Sequence, residues 1–193
     1  MLKKNLTKKF INKAVFLDRD GVINYDFGYV HKIKSFKFKK KVFEAVKYLN
    51  ENNYLVIIVT NQSGIGRGYY SKKDLLILHN WMKKKFKKNG AYIDDIYYAP
   101  YYEFSKKYFS YKEKMRRKPN KGMIIEAKKK WLINMKESYM VGDRDIDKKL
   151  AFNAKLKFIK INLKSDLFKI ISNKVRRLNI GYRFNLNFLG FFA

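Results

Sequence analysis

The chain has 193 residues, an apolar fraction of 47% and no cysteine, which predicts one globular domain and excludes disulfides and thiolate metal sites. Its formal net charge of +29 favours anionic substrates. The lysines are spread along the whole chain beside abundant Asn, Ile, Phe and Tyr, however, and no arginine-rich block or zinc finger accompanies them. We therefore attribute most of the charge to coding bias and predict no specific nucleic-acid partner.

Membrane and targeting segments are not expected either. The lysine-rich residues 1–12 are not followed by an apolar core of signal-peptide length, and no uninterrupted apolar stretch is long enough to span a bilayer. A chain without cysteines suits a reducing compartment. We accordingly expect a cytoplasmic monomer with no membrane partner.

The first predicted strand is the apolar run at residues 14–17, which ends in Asp18 and Asp20, followed by Gly21. Ligands of open α/β sheets bind beyond the carboxyl ends of the strands. Two carboxylates this close would raise each other's pKa unless a cation neutralised them, and Mg²⁺ is the usual cation where phosphate is also bound. The pattern predicts a Mg²⁺ site, and the alternative is an acidic turn without chemistry.

Residues 24–35 predict a loop over this site. Within it, Asp26, Gly28 and Tyr29 could contact a polar substrate, although Phe27 and Tyr29 could equally serve loop packing. Apolar spacing then predicts a helix at residues 42–50, and the run at residues 55–59 is typical of a strand buried on both faces. That strand leads into TNQSGIGRG, whose hydroxyl, amides and glycines predict a phosphate cradle.

The second half of the chain continues the alternation of helices and strands. We predict a helix at residues 71–89 with His79 at the edge of the core, a strand at 93–99, an insertion at 100–117, and a helix at 123–132. Lys118 precedes that helix, where the helix dipole disfavours a cation, so we expect an anion nearby. Strands at 138–141 and 158–161 follow, and Asp143 repeats after the first of these the placement of Asp18. A short helix is expected beyond residue 163.

These motifs together resemble the haloacid dehalogenase superfamily. Strand-DxDG, strand-TNQ, a lysine before a helix and strand-GDxxxD occur here in that order. Within the superfamily, DRDGVIN, DFGYV, TNQSGIGRGYYS, RKPNKGM and GDRDIDKKLAFNA are similar to the D-glycero-D-manno-heptose 1,7-bisphosphate phosphatases, over residues 14–161. The resemblance implies a three-layer, Rossmann-like α/β domain with a mainly parallel sheet and no large cap, in which residues 1–193 form one phosphatase domain and residues 164–193 a divergent tail.

The resemblance also implies roles for individual residues. It makes Asp18 the nucleophile and Asp20 the acid/base, and it places Asp18, the backbone carbonyl of Asp20, and Asp143 around Mg²⁺. Thr60 and Lys118 would hold the transferring phosphoryl group. The residues implied in substrate recognition are Asp26, Phe27, Gly28, Tyr29, Asn61, Gln62, Ser63, Arg117 and Arg144.

The implied reaction is removal of the 7-phosphate of a heptose 1,7-bisphosphate, a small phosphorylated sugar, through an aspartyl-phosphate. An ionised carboxylate can attack phosphorus without a base. The acid/base residue would protonate the departing oxygen and then activate water, which favours a raised pKa for Asp20.

One departure from the family concerns zinc. Such phosphatases commonly hold a zinc ion through a CxH and a later CxC pair, where this chain has Ala99 and Tyr101, then Lys114 and Arg116. Neutral Tyr and cationic Lys or Arg cannot supply the thiolates and imidazole of such a site. We therefore predict no zinc, and expect aromatic packing to hold the loop instead, by Tyr101, Tyr102, Phe104, Tyr108 and Phe109.

Two other phosphatase groups share parts of the pattern. Histidinol-phosphate phosphatases resemble DRDG, TNQ and RKP, while polynucleotide 3′-phosphatases carry a TNQ-GIGRG loop and RKP. SGIGRGYY and DFGYV favour the heptose branch over the first. The arginine inside DRDG and the GDRDID motif argue against the second, and the intact catalytic set argues against a non-catalytic binding protein.

Overall fold

The computed structural model describes residues 11–108 and 110–175 and contains a five-stranded parallel sheet. Its strands are β1 (Lys13–Leu17), β2 (Tyr54–Asn61), β3 (Asp95–Ala99), β4 (Tyr139–Gly142) and β5 (Lys157–Lys160). They lie side by side in the order β3-β2-β1-β4-β5, and every neighbouring pair is parallel. All five strands were predicted from the sequence, which confirms the α/β class with a mainly parallel sheet.

Helices cover both faces of this sheet. In chain order they are α1 (Val42–Glu51), α2 (Ser63–Gly66), α3 (Lys72–Lys88), α4 (Tyr111–Arg116), α5 (Gly122–Trp131), α6 (Asp145–Asn153) and α7 (Leu167–Lys174), with short 3₁₀ turns at Ile33–Ser35 and Met135–Glu137. The predicted start of α3 is confirmed, because the Ser71 hydroxyl accepts the Asp74 backbone N–H while the Asp74 carboxylate accepts that of Ser71.

Strand alternation divides the core into two halves. Val15 and Leu17 of β1 point to the face covered by α1, α3 and α7, whereas Ala14 and Phe16 point to the face covered by α5 and α6. All four side chains are fully buried, and burial of a Val, Leu or Phe side chain is worth about 1.5–3 kcal/mol. The result is the three-layer arrangement predicted from the sequence.

The central strand places the candidate site. Leu17 is in register with Ile58 of β2 and with Val141 of β4, so the residues that follow these three strands leave the sheet at one edge. The strand order reverses direction at β1, and such a switch point is where open parallel sheets bind ligands.

Three helices were not predicted from the sequence. The short helices α2 and α4 carry too few residues to show an apolar period, and α6 starts within the charged GDRDID segment. Residues 176–193 of the predicted tail, and Phe109 of the aromatic loop, lie outside the described residues. Across residues 11–108 and 110–175 no helix has the length and apolar character needed to cross a membrane.

Candidate active site

Asp18 lies at the floor of the site, where only 6% of its surface is exposed. Its Oδ1 accepts the Arg19 backbone N–H at 2.7 Å, and its Oδ2 lies 2.7 Å from Lys118 Nζ. Burial raises the pKa of Asp18 to about 7 and outweighs the opposing charge of Lys118. The sequence predicted a raised pKa from the neighbouring carboxylate of Asp20, and Asp20 does contribute, but burial is the larger cause. A cation beside Asp18 would favour its ionised form.

Lys118 is held between two carboxylates. Its Nζ lies 2.7 Å from Asp18 Oδ2 and 2.7 Å from Asp147 Oδ1. Burial favours the neutral amine, but the two negative charges outweigh it and raise the pKa of Lys118. The anion expected near Lys118 is therefore supplied by the protein. Asn61 fixes this part of the backbone, since its side chain accepts the Lys118 N–H at 2.9 Å and donates to the Lys118 carbonyl at 3.2 Å.

A third carboxylate completes an oxygen cluster. Asp18, Asp143 and Asp147 each offer an oxygen within 4.8 Å of the others. Asp143 Oδ1 is buried without a hydrogen-bond partner, and burial raises the pKa of Asp143. Gly21 makes room for this carboxylate: its φ is +86°, and a Cβ there would lie 2.2 Å from Asp143 Oδ2. An all-carboxylate set with an unsatisfied oxygen fits a hard divalent cation such as Mg²⁺.

Asp20 lies beside this cluster, but its carboxylate is surrounded by hydrogen-bond donors. Burial acts to raise the pKa of Asp20, but the Arg19 charge and hydrogen bonds from Asn24, Arg19 and Gln62 outweigh it and lower the pKa. The Arg19 Nη2 donates to both carboxylate oxygens at 2.9 Å. The raised pKa expected from the sequence is therefore wrong for this state of the protein. The DRDG motif shows an arginine next to Asp20 in sequence, but it does not show that the guanidinium turns back onto the carboxylate.

Gln62 links Asp20 to the phosphate cradle. Its Nε2 donates to Thr60 Oγ1 at 2.9 Å and to Asp20 Oδ2 at 3.0 Å, while its Oε1 accepts the Tyr70 hydroxyl at 2.6 Å. Thr60 is fully buried, and Gln62 is 2% exposed. Gln62 thus orients the side chains of the predicted acid/base and the predicted phosphoryl-binding hydroxyl at the same time.

A cavity of about 360 Å³ opens above these groups. All the predicted catalytic and substrate-binding residues except Phe27 line it. Phe27 is 65% exposed and stacks on Tyr25 instead, at 6.3 Å between ring centroids. At the mouth of the cavity Arg144 forms an ion pair with Asp26. Two of the predicted recognition residues are therefore in direct contact.

Two further cations face the cavity, Arg67 and Arg117. The Arg67 guanidinium lies 3.9 Å from the centroid of the Tyr102 ring, and Arg117 Nη1 donates to the Tyr101 carbonyl at 3.5 Å. Burial and the charge of Arg67 together lower the pKa of Arg117. Two like charges that line one cavity favour an anionic ligand there.

Comparison of the sequence with known proteins identifies phosphatases as its relatives. A family model described as polynucleotide kinase 3 phosphatase matches residues 17–162. The D-glycero-beta-D-manno-heptose-1,7-bisphosphate 7-phosphatase of Haemophilus influenzae is 44% identical over 148 residues, which cover 76% of this chain and 79% of the relative. The chain belongs to the haloacid dehalogenase-like phosphatases.

Two other members of this superfamily extend the comparison. The D-glycero-alpha-D-manno-heptose-1,7-bisphosphate 7-phosphatase of Campylobacter jejuni is 44% identical over 142 residues, covering 74% of this chain and 77% of the relative. Among solved structures, the D,D-heptose 1,7-bisphosphate phosphatase from B. bronchiseptica, complexed with magnesium and phosphate, superposes with a TM-score of 0.68. It is 26% identical, and the match covers 76% of this chain and 78% of that one.

The loop at residues 100–117, which the sequence predicts to be held by aromatic packing, makes several aromatic contacts among its described residues. Tyr101 is 9% exposed, and the Tyr102 ring meets both Arg67 and, edge to face at 5.4 Å, Phe104. Phe104 itself is 77% exposed, so it makes the predicted aromatic contact without being buried in the loop. Tyr108 packs at the edge of a small cluster that contains Ile65.

Several residues of the site were not predicted from the sequence. Asp147, the second D of the GDxxxD motif, is fully buried against Lys118. Its spacing from Asp143 was visible, and a one-turn helical offset could have placed both carboxylates on one face. Arg67 lies in the quoted GIGRG run but had no assigned role. His79, expected at the core edge, is 3% exposed and lies next to Arg19.

Proposed function

We propose that this chain is a Mg²⁺-dependent phosphomonoester hydrolase that removes the 7-phosphate of a D-glycero-D-manno-heptose 1,7-bisphosphate. The observation that carries the proposal is the convergence of three carboxylates, one buried lysine and one buried threonine at the end of β1. Carboxylates with a lysine and a hydroxyl donor form a site for phosphoryl transfer. The relatives named above act on heptose bisphosphates, which supports the substrate class.

Asp18 is the nucleophile of the proposed reaction. Its carboxylate attacks phosphorus, forms an aspartyl-phosphate and displaces the sugar oxygen. Lys118 lies 2.7 Å from Asp18, so its ammonium can neutralise oxygens of the phosphoryl group during transfer. The Thr60 hydroxyl lines the same cavity and can donate to a further oxygen.

Asp18, Asp143 and Asp147 would hold the Mg²⁺ ion, and the backbone carbonyl of Asp20 is a further proposed ligand. When bound there, the ion would offset negative charge on the phosphoryl oxygens. The unpartnered Asp143 oxygen and the raised pKa values of Asp18 and Asp143 support this assignment, because neighbouring cationic charge relieves both. The B. bronchiseptica relative, which contains magnesium and phosphate, supports it independently.

Asp20 is the proposed acid/base. It lines the cavity next to Asp18, where it can protonate the departing sugar oxygen and later take a proton from the attacking water. The Arg19 guanidinium keeps the Asp20 carboxylate ionised in the structure, so the proton that Asp20 gives to the departing oxygen must arrive with the bound substrate before the first step.

The dimensions of the cavity favour a compact bisphosphate. About 360 Å³ is large enough for a sugar phosphate, and Arg67 and Arg117 can meet the second phosphate while the first lies over Asp18. Polar groups from the loop at residues 26–29 suit sugar hydroxyls. The two curated relatives differ in anomer, and we propose no preference between them.

A polynucleotide 3′-phosphatase is the second candidate, because the matching family model carries that description and the net charge is +29. A strand reader would interleave exposed aromatics along one basic track. Affinity that rests on phosphate contacts alone falls steeply with added salt. Turnover of a small sugar phosphate held by hydrogen bonds and buried charges depends much less on salt.

The deciding experiment compares kcat/KM at physiological salt for three substrates: heptose 1,7-bisphosphate, histidinol phosphate and a 3′-phosphorylated oligonucleotide. Phosphorus NMR of the heptose product shows which phosphate leaves. We expect the heptose bisphosphate to give the highest value and the 7-phosphate to be released. A higher kcat/KM for the oligonucleotide would overturn the heptose assignment and leave only the shared phosphatase chemistry.

A further inference from the structure

Arg19 is a fully buried arginine at the centre of the DRDG motif. Its side chain points away from the cavity, and its Nη2 donates to both oxygens of Asp20 and to the Val30 carbonyl at 2.6 Å. Its Nε lies 3.2 Å from Asp20 Oδ1. A buried guanidinium is stabilised only when its donors are used, and these contacts fix the plane of the Asp20 carboxylate.

His79 provides the remaining contact. Its Nε2 lies 3.2 Å from Arg19 Nη1, and the ring is 3% exposed within α3. Arginine remains protonated in proteins and can only donate, so His79 Nε2 accepts this hydrogen bond and the ring proton lies on Nδ1. His79 is therefore a neutral hydrogen-bond acceptor for Arg19 Nη1.

The same arginine reaches the loop over the site. Val30, whose carbonyl accepts from Arg19, follows directly after the proposed recognition segment at residues 26–29. One buried guanidinium thus contacts the proposed acid/base, a helix of the core and the loop that faces the substrate. A shift of any one of them would move the other two.

We propose that His79 is a positioning residue that acts through Arg19 to hold Asp20 in the orientation needed to protonate the leaving group. This inference rests on the proposed phosphatase function and extends it to a residue outside the cavity. Without the acceptor at position 79, Arg19 loses one of its fixed contacts and the Asp20 carboxylate is no longer held in one plane. Misplacement of a catalytic group by about 1 Å can reduce the rate about 100-fold.

The dependence on leaving group separates this role from simple stabilisation of the fold. A sugar alkoxide leaves only when it is protonated, whereas p-nitrophenolate leaves without a proton. The value of kcat/KM reports the steps up to departure of the leaving group, so it isolates the step in which Asp20 acts as an acid. A purely structural defect would lower kcat/KM for both substrates by the same factor.

The experiment measures kcat/KM for heptose 1,7-bisphosphate and for p-nitrophenyl phosphate in the Mg²⁺-loaded full chain and three variants. His79→Met removes the acceptor, His79→Gln restores one, and Met82→Ala is the matched control that removes a buried side chain from the same helix. For His79→Met we expect a loss of about tenfold or more on the heptose substrate but less than about threefold on p-nitrophenyl phosphate. His79→Gln should recover most of the difference, and Met82→Ala should affect both substrates equally.

The results also separate this inference from the proposed function. Equal losses on both substrates in His79→Met would overturn the positioning role while leaving the phosphatase assignment intact. A wild-type protein that hydrolyses neither substrate would contradict the proposed function itself. If a thermal melt shows that His79→Met is unfolded, Arg19→Lys takes its place, because lysine keeps the charge but cannot donate to both Asp20 oxygens as the guanidinium does. The same selective loss on the heptose substrate is expected. Equal losses on both substrates would again overturn the inference.

Discussion

Lys118 and Asp147 form an ion pair that is closed to solvent. Nζ lies 2.7 Å from Oδ1, and the two side chains are 1% and 0% exposed. The Lys118 ammonium also contacts Asp18, so it is held by Asp147 on one side and meets the proposed nucleophile on the other. The position of the ammonium in the site therefore depends on a carboxylate that contacts neither the sugar nor the leaving group in the proposed reaction.

Asp147→Asn tests this dependence. The amide keeps the size of the side chain but removes the charge, and a hydrogen bond to a charged group is worth about 1.5–3 kcal/mol. We expect a loss of this order in the free energy of unfolding, measured by urea denaturation without Mg²⁺. We also expect at least about a tenfold loss of kcat as Lys118 shifts, measured at saturating Mg²⁺ because Asp147 is also a proposed Mg²⁺ ligand. Asp145→Asn is the matched control, since Asp145 is exposed in the first turn of the same helix. Equal effects in the two variants would show that Asp147 does not hold Lys118.

The sequence predicted more of the fold than of the contacts within the site. Alternating apolar runs and helical spacing identified all five strands and the longer helices, because these patterns follow from which side chains are buried. The carboxylates after β1 and β4 were likewise visible. The contacts of Arg19, Asp147 and His79 were not, because they depend on which way each side chain turns once the backbone has folded. The pKa of Asp20 was expected in the wrong direction for the same reason.

The cation site is tested by Asp143→Asn. Asp143 Oδ1 is buried without a hydrogen-bond partner, so we expect the variant to bind Mg²⁺ at least about tenfold more weakly. Stability without Mg²⁺ should be unchanged or slightly higher, since burial disfavours the charged Asp143. Isothermal titration calorimetry with Mg²⁺ and thermal melts measure both effects. Wild-type affinity in the variant would show that Asp143 is not a ligand.

The buried histidine makes stability depend on pH. Burial and the Arg19 charge lower the pKa of His79 to about 3, below the usual value near 6.5 in an unfolded chain. Between pH 6.5 and 3 the unfolded state therefore binds a proton at His79 that the folded state does not. The stability that neutral His79 contributes is fully present above pH 6.5 and is lost as the pH falls toward 3. The contribution changes by about 1.4 kcal/mol per pH unit in this window. His79→Gln should lose correspondingly less stability than wild type between pH 6.5 and 4 in urea titrations, and an unchanged slope would contradict the prediction.

The prediction that aromatic packing, and no zinc ion, holds the loop at residues 100–117 is tested at Tyr102. Its ring packs against the Arg67 guanidinium at 3.9 Å, and a cation–π contact of this kind is worth about 0.5–2 kcal/mol. Tyr102→Ala should increase proteolysis within residues 100–116 and raise KM for the bisphosphate, because Arg67 faces the cavity. Tyr111→Ala is the control, since Tyr111 is 77% exposed. Metal analysis of untagged protein should find no zinc, and stoichiometric zinc would refute this prediction.

The central claim is that Asp18 is the nucleophile of a Mg²⁺-dependent phosphatase. The most direct measurement is phosphate release from heptose 1,7-bisphosphate by wild type and by Asp18→Asn, each with Mg²⁺ and with excess chelator, alongside a thermal melt of both proteins. We expect turnover only in wild type with Mg²⁺, with Asp18→Asn folded but inactive. Turnover near the wild-type rate in Asp18→Asn, or in wild type with excess chelator, would contradict the proposed mechanism.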